Sequence, residues 1–309
     1  MEFSPVQRKI ILALGGALGL VVLILLVMRA WPDVRAENFT ALARARWQFT
    51  LVPLLLLLGW ETVSPFFPFF QGRRDERLRH GARNVFLGVL NAALAALLFA
   101  GLWWVAAEWA ERHRCGLLHL VALPPWARVL GAIVLLDAWL YWWHRLNHRV
   151  PFLWRFHRVH HSDARMDVTT ASRFHLGEVV LSHALRIPVI LLLGVRAREI
   201  VLYETLLFAV VQFHHANIGL PEWLDRPLRC LVVTPAIHKV HHSRLRPETD
   251  SNYSSLCSVW DRLFRSLRLR AHPREIQFGL EAFDAPPHQT VPGLLKTPLE
   301  KDRRPGTEG

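Results

Sequence analysis

The sequence predicts an all-α protein: an integral-membrane helical bundle of about four transmembrane helices, with a cytoplasmic helical cap carrying clustered histidines. Three observations predict it. Residues 10–28 and 84–107 are uncharged runs of 19 and 24 residues, each enough to cross a hydrocarbon core of roughly 30 Å as a helix. Hydrophobic residues make up 52% of the chain, and mean hydropathy is +0.20 despite 37 Lys and Arg. Finally, 12 of the 17 histidines fall between 144 and 242, many of them three or four residues apart.

The elements follow in order. The basic end of 1–9 and the apolar run Ile10 to Met28 predict an uncleaved first span, because the run exceeds a signal-peptide core and no small-residue cleavage site follows. Phe49 to Phe70 predicts a second, interrupted by Glu61, Pro65 and Pro68 and therefore kinked or partly interfacial, with Glu61 near a membrane boundary. The loop Gln71 to Arg83 carries five Arg and is placed in the cytoplasm by the positive-inside rule. Span three, 84–107, then exits. Span four, Trp126 to Trp143, returns and delivers His144 to the cytoplasmic side, so the expected location is a bacterial inner membrane, multi-pass, with the site facing the cytoplasm.

Beyond span four, Thr169, Thr170 and Ser172 suit the cap of a helix starting near Phe174, with His175 and Glu178 on one face. The runs 179–195, broken by Arg186 and Pro188, and 200–213 are short of a comfortable span and predict a re-entrant or interfacial hairpin. These divisions give an N-terminal transmembrane region at 1–125, a histidine-bearing domain at 126–270 and a polar, Pro-rich tail at 271–309, disordered from 300. Three cysteines, Cys115, Cys230 and Cys257, have no paired or metal-like spacing. The net charge of +12 comes with no nucleic-acid motif; its basic residues flank apolar spans, which points to lipid headgroups. Arg145, Arg149, Arg155 and Arg158 belong to that anchoring set.

The stretch YWWHRLNHRVPFLWRFHRVHHS, Tyr141 to Ser162, holds His144, His148, His157, His160 and His161, and IHKVHHS holds His238, His241 and His242. Residues three and four apart share a helix face, and neutral imidazole is the commonest metal ligand. Eight imidazoles exceed the four that one tetrahedral zinc takes, so two metals are expected. Imidazole suits iron, zinc and copper alike. Asp137, in span four, is expected to orient an imidazole from another helix.

The order HxxxH, HxxHH, RxHxxE, HxN, HxxHH, NY, WDRLF over about residues 137–267 resembles the sterol desaturase and fatty acid hydroxylase superfamily, integral-membrane di-iron oxygenases. The resemblance implies that His144, His148, His157, His160, His161, His238, His241 and His242 hold two metals, that His215 joins them with Asn217 in support, and that His175 of Arg173-Phe174-His175-Leu176-Gly177-Glu178 is a further ligand. No family position matches His183 or His214, which are expected to be satisfied or interfacial. The implied cofactors are two Fe ions, with Zn as an alternative occupant on purification, and O2 as co-substrate. The implied reaction is hydroxylation or desaturation of a lipid or sterol-like C–H bond, and the implied partners are the membrane and a separate electron donor of cytochrome b5 or ferredoxin/reductase type. Departures stand at Leu176 for Pro, at Ser254 for the Gly after NY, and at Phe264-Arg265-Ser266 for FGT. The competing classes are a membrane zinc hydrolase, for which no HExxH is present, and a non-catalytic protein binding haem or metal through histidines.

Overall fold

The computed structural model describes residues 39–301. The first span, Ile10 to Met28, and the tail beyond Lys301 lie outside the described residues. Within them the fold is helical, with no strand and two isolated bridges, Val232 to Cys257 and Ser243 to Phe278. The long elements are α1 (Phe39–Val63), α2 (Arg74–Arg112), α3 (Pro125–Arg149), α4 (Pro151–His161), α5 (Leu176–Leu193) and α6 (Ala197–His215). Shorter helices follow: α7 (Glu222–Leu228), α8 (Pro235–His241), α9 (Arg246–Thr249), α10 (Val259–Leu263) and α11 (Val291–Lys296).

Proline punctuates the histidine-bearing part. Pro125, Pro151 and Pro235 each stand in a helix's first turn, where the missing N–H costs nothing. The residue before Pro151 is forced out of the helical region; Val150 adopts φ −93° and ψ 115°. The chain therefore turns between α3 and α4, and His144 and His148 on one helix come to face His157 and His161 on the next.

Helix α2 packs along α5, and α1 along α6, with α3 also against α6. Helices α2, α3, α5 and α6 share a core that includes Ala107, Leu118, Ala132, Leu136, Ile190, Val195, Ile200 and Tyr203. The outer face of α2 is apolar and bare, with Leu97 84% exposed and Leu102, Val105 and Trp109 also exposed. Where α2 ends, Gly116 at φ 101° meets the α5 terminus at Gly194, φ 68°; a Cβ on Gly116 would stand 2.3 Å from the Gly194 nitrogen. That approach admits no side chain.

By length and composition, two of the described helices are apolar enough to cross a membrane, residues 74–119 and 176–193. The second corrects the expected broken hairpin. Residues 176–193 form one continuous helix, with Pro188 inside it, because the charge that argued against it is neutralised: Arg186 is buried against Glu204 of α6 and lies over the Trp103 ring at 5.0 Å. Residues 126–143 are helical but are not among the two; Arg128 and Asp137 are buried there. Phe174 does not open α5. Its cap is His175, whose Nδ1 accepts from the Gly177 N–H, while Thr169 and Thr170 lie in a 3-10 turn.

The C-terminal segment up to Glu300 is packed, not loose. Gln289 donates to the Ser162 carbonyl and accepts from Arg173, and the buried Arg158 donates to the carbonyls of Thr297 and Glu300. Arg158 is thus internal and does not belong to a headgroup-facing set.

Candidate metal centre

Nine of the ten histidines named from the sequence gather in two buried groups. His144, His148, His157, His161 and His241 form one; His160, His215, His238 and His242 form the other. Within each, one nitrogen per ring lies within 4.8 Å of every other. His160 and His161 are consecutive, and so are His241 and His242, so each HxxHH box sends one ring of its terminal pair to each group.

The ring tautomers follow from the outer partners. His144 Nδ1 donates to the Tyr253 carbonyl at 2.8 Å and His241 Nδ1 to the Ser251 carbonyl at 2.6 Å. A carbonyl can only accept, so each neutral ring keeps its lone pair on Nε2. Those two Nε2 atoms lie 3.0 Å apart, lone pair to lone pair, with no proton to share. The second group repeats the arrangement: His215 Nδ1 donates to Val211 O at 2.7 Å and His160 Nδ1 to Arg173 O at 3.3 Å, leaving their Nε2 atoms 3.0 Å apart. His238 Nε2 is 3.1 Å from both His215 Nε2 and His242 Nε2. In addition, the Nε2 atoms of His157 and His161 are buried without a hydrogen-bond partner. A cation resolves these contacts; a tetrahedron with metal–nitrogen bonds of 2.0–2.1 Å has edges of about 3.4 Å, close to these separations. The donor set, all imidazole and dry, fits a first-row transition metal.

Burial and the surrounding rings disfavour the charged form of several of these imidazoles. Desolvation, then the neighbouring His242 and His241, holds His161 well below the usual histidine range; desolvation pushes His241 down to about 3, despite the hydrogen bond to Ser251.

The outer layer comes from scattered elements. Glu178 accepts from His157 Nδ1 at 2.8 Å, and Asp250 lies 3.6 Å from His148 Nδ1. Asp261 accepts the backbone N–H groups of Tyr253 and Ser254 and the Ser266 hydroxyl, fixing the loop whose carbonyls orient His144 and His241. Arg173, fully buried, bonds Val159 O, Ser162 Oγ and Gln289 Oε1 and so sets the carbonyl that meets His160. The turn after His215 is held by Glu61, which accepts the N–H of Asn217 and Val168, and by Lys239, which donates to the carbonyls of Ala216 and Ile218. Glu61 is therefore a buried anchor, 2% exposed.

Two expectations do not match this geometry. Asp137 touches no imidazole: it accepts from Trp260 Nε1 at 2.7 Å and Cys257 N at 3.0 Å, tying α3 to α10. The structure does not bring His175 to either group, since its Nδ1 caps α5 and its Nε2 faces the Leu295 carbonyl at 3.2 Å. His183 is satisfied, bonding Val179 O and stacking on Trp103. His214 was set aside on sequence grounds, yet it is buried beside the second group, its ring 3.8 Å from that of His238 and both nitrogens without hydrogen-bond partners. Adjacency to His215 in the sequence was the only signal for it.

Residues 129–266 match the family model described as fatty acid hydroxylase. Over those residues the match supports the sterol desaturase and fatty acid hydroxylase superfamily. Among curated relatives of this superfamily, alkylglycerol monooxygenase of Homo sapiens is 26% identical over 75% of this chain and 48% of its own length. Ornithine lipid hydroxylase OlsE of Rhizobium tropici is 30% identical over 49% of this chain and 45% of its own. Very-long-chain aldehyde decarbonylase GL1-4 of Oryza sativa subsp. indica is 29% identical over 47% and 25%. The chain thus spans about half the length of the first two and less of the third. No solved structure matches it. Two of the departures from the superfamily pattern, at Arg265 and Ser266, are absorbed locally. Arg265 takes the left-handed φ of 54° that Gly adopts freely, and Ser266 supplies a hydroxyl to Asp261 and Tyr141.

Proposed function

We propose that the chain is a membrane-bound, O2-dependent di-iron oxygenase that hydroxylates, or desaturates, a C–H bond of a lipid. The observation that carries this reading is the convergence of nine buried imidazoles in two groups, with Nε2 lone pairs facing one another. The names of the relatives, which act on an alkylglycerol, an ornithine lipid and a long-chain aldehyde, support a lipid substrate.

Two iron ions, held by His144, His148, His157, His161 and His241 and by His160, His215, His238 and His242, would supply the activation of O2 that protein side chains cannot. This chain's residues do the rest. The carbonyls of Tyr253, Ser251, Arg173 and Val211 and the carboxylate of Glu178 fix ring tautomer and direction before any ion arrives. Burial keeps water from the centre. Hydroxylation consumes R–H, O2, two electrons and two protons to give R–OH and water, so two electrons come from outside, from a donor protein of cytochrome b5 or ferredoxin type. In this reading the apolar part of α1 crosses the bilayer, α2 crosses outward and α3 returns, and α5 crosses outward and α6 returns, so that both HxxHH boxes stay on one side. The histidine groups then face the cytoplasm of a bacterial inner membrane, on the side of the Arg-rich start of α2.

The test is metal content of detergent-purified protein followed by 18O2 labelling of lipids in expressing cells. About two irons per chain, lost in the double variant His160→Ala, His241→Ala, and a lipid product carrying 18O or a new double bond are the expected outcomes. Absence of metal after anaerobic iron loading refutes the reading.

A further inference from the structure

We infer that the two histidine groups are unequal cation sites, the five-histidine group holding its ion more tightly and releasing it last. The inference rests on the metal-binding reading above and concerns what stands behind each group.

Behind the five-histidine group are carboxylates. Glu178 Oε1 is 2.8 Å from His157 Nδ1, and Asp250 Oδ1 is 3.6 Å from His148 Nδ1. Both rings are buried, so little solvent screens these contacts. A carboxylate on the outer nitrogen makes an imidazole a stronger donor and adds negative charge beside the cation. Behind the four-histidine group the outer partners are neutral carbonyls, Val211 O for His215 and Arg173 O for His160, while the Nδ1 atoms of His238 and His242 have no hydrogen-bond partner.

The nearby charges reinforce the difference. Lys239 stands on α8 between His238 and His241, its Nζ donating to the carbonyls of Ala216 and Ile218, a basic group rather than an acid on the side of the four-histidine group. The acids that reach toward that side are already paired. Asp163 and Asp167 flank His80 at 2.9 and 3.3 Å, and Glu61 holds Arg77 at 3.1 Å. The four-histidine group thus has one ligand fewer, no carboxylate behind a ring and a lysine beside it.

The experiment uses Zn2+ as a redox-silent probe. The full chain in detergent is loaded with two equivalents and challenged with graded chelator, and bound metal per chain is read by mass spectrometry. Release in two steps with a plateau near one metal per chain is expected. Glu178→Gln should move the later step toward the earlier by roughly 10–100-fold in chelator and leave the earlier in place. His242→Ala should abolish the earlier step alone. Asp250→Asn repeats the comparison at the second carboxylate where Glu178→Gln folds poorly. A single two-metal step, or variants at Glu178 and Asp250 that shift only the earlier step, overturns the inference while leaving the oxygenase reading intact. A chain that takes up no metal overturns both.

Discussion

Removing the Asp261 carboxylate tests whether the closing segment of the fold positions the metal centre or merely stabilises the chain. Asp261 is fully buried and accepts from Tyr253 N at 2.8 Å, Ser254 N at 3.1 Å and Ser266 Oγ at 2.7 Å. In Asp261→Ala the two backbone N–H groups lose their acceptor in a dry site. Each orphaned donor costs about 1–3 kcal/mol, so the variant should lose about 2–6 kcal/mol, a large share of the roughly 5–15 kcal/mol that holds a domain folded. The second consequence is specific. The loop so loosened supplies Tyr253 O to His144 and Ser251 O to His241, and loss of such an outer partner weakens metal binding by about 10–100-fold. Asp261→Asn keeps one carbonyl oxygen and should fall between. The assay pairs thermal unfolding in detergent with a chelator competition run well below the melting temperature. A variant that melts early yet holds metal like the parent would refute the positioning argument. One that neither melts early nor loses metal would refute the hydrogen-bond account itself.

Three further outcomes are expected. In the metal-free protein, desolvation pushes His241 down to about 3 from an ordinary 6.5. The folded chain therefore binds fewer protons than the unfolded chain below pH 6.5, and stability present above that pH is lost as pH falls toward 3, by about 1.4 kcal/mol per pH unit for each such histidine; a melting temperature flat between pH 7 and 5 would contradict this. Gly116→Ala puts a Cβ 2.3 Å from the Gly194 backbone at a φ of 101°, and should cost at least the roughly 1–3 kcal/mol of a strained left-handed residue; unchanged unfolding would refute the close approach. Arg265→Gly relieves a φ of 54° in an exposed residue and should stabilise by about 1 kcal/mol, read as a raised denaturant midpoint.

What the sequence made legible was the periodic part. Histidines three and four apart had to share helix faces, and nine of the ten named from it do lie in the two groups. The outer layer was hidden because most of it is backbone. Ser251 O, Tyr253 O, Arg173 O and Val211 O carry no side-chain signature, and which carbonyl meets which ring depends on how separate helices dock. Asp137 shows the same limit. Its spacing from His144 said which face it occupies, while its partners, Trp260 and Cys257, lie over a hundred residues away. A charge in an apolar run misled for a related reason: Arg186 looked like a break, but it is buried between Glu204 of the next helix and the Trp103 ring of α2.

The two faces of α3 tie the centre to the substrate class. His144, Asn147 and His148 are buried on one face, while Trp142, Leu146 and Val150 are exposed on the other and Phe152 extends that apolar surface onto α4. A water-soluble substrate would gain nothing from such a surface, and exposing it to solvent costs free energy in proportion to its area. In a bilayer the same side chains are solvated by acyl chains. For the lipid substrate proposed above, that surface lies on the face of α3 opposite the buried His144 and His148. Ordering the site from backbone carbonyls on the inward side leaves the outward side free to carry Trp142, Leu146 and Val150 beside the exposed Arg149, an apolar surface next to a cation that suits the lipid environment proposed above.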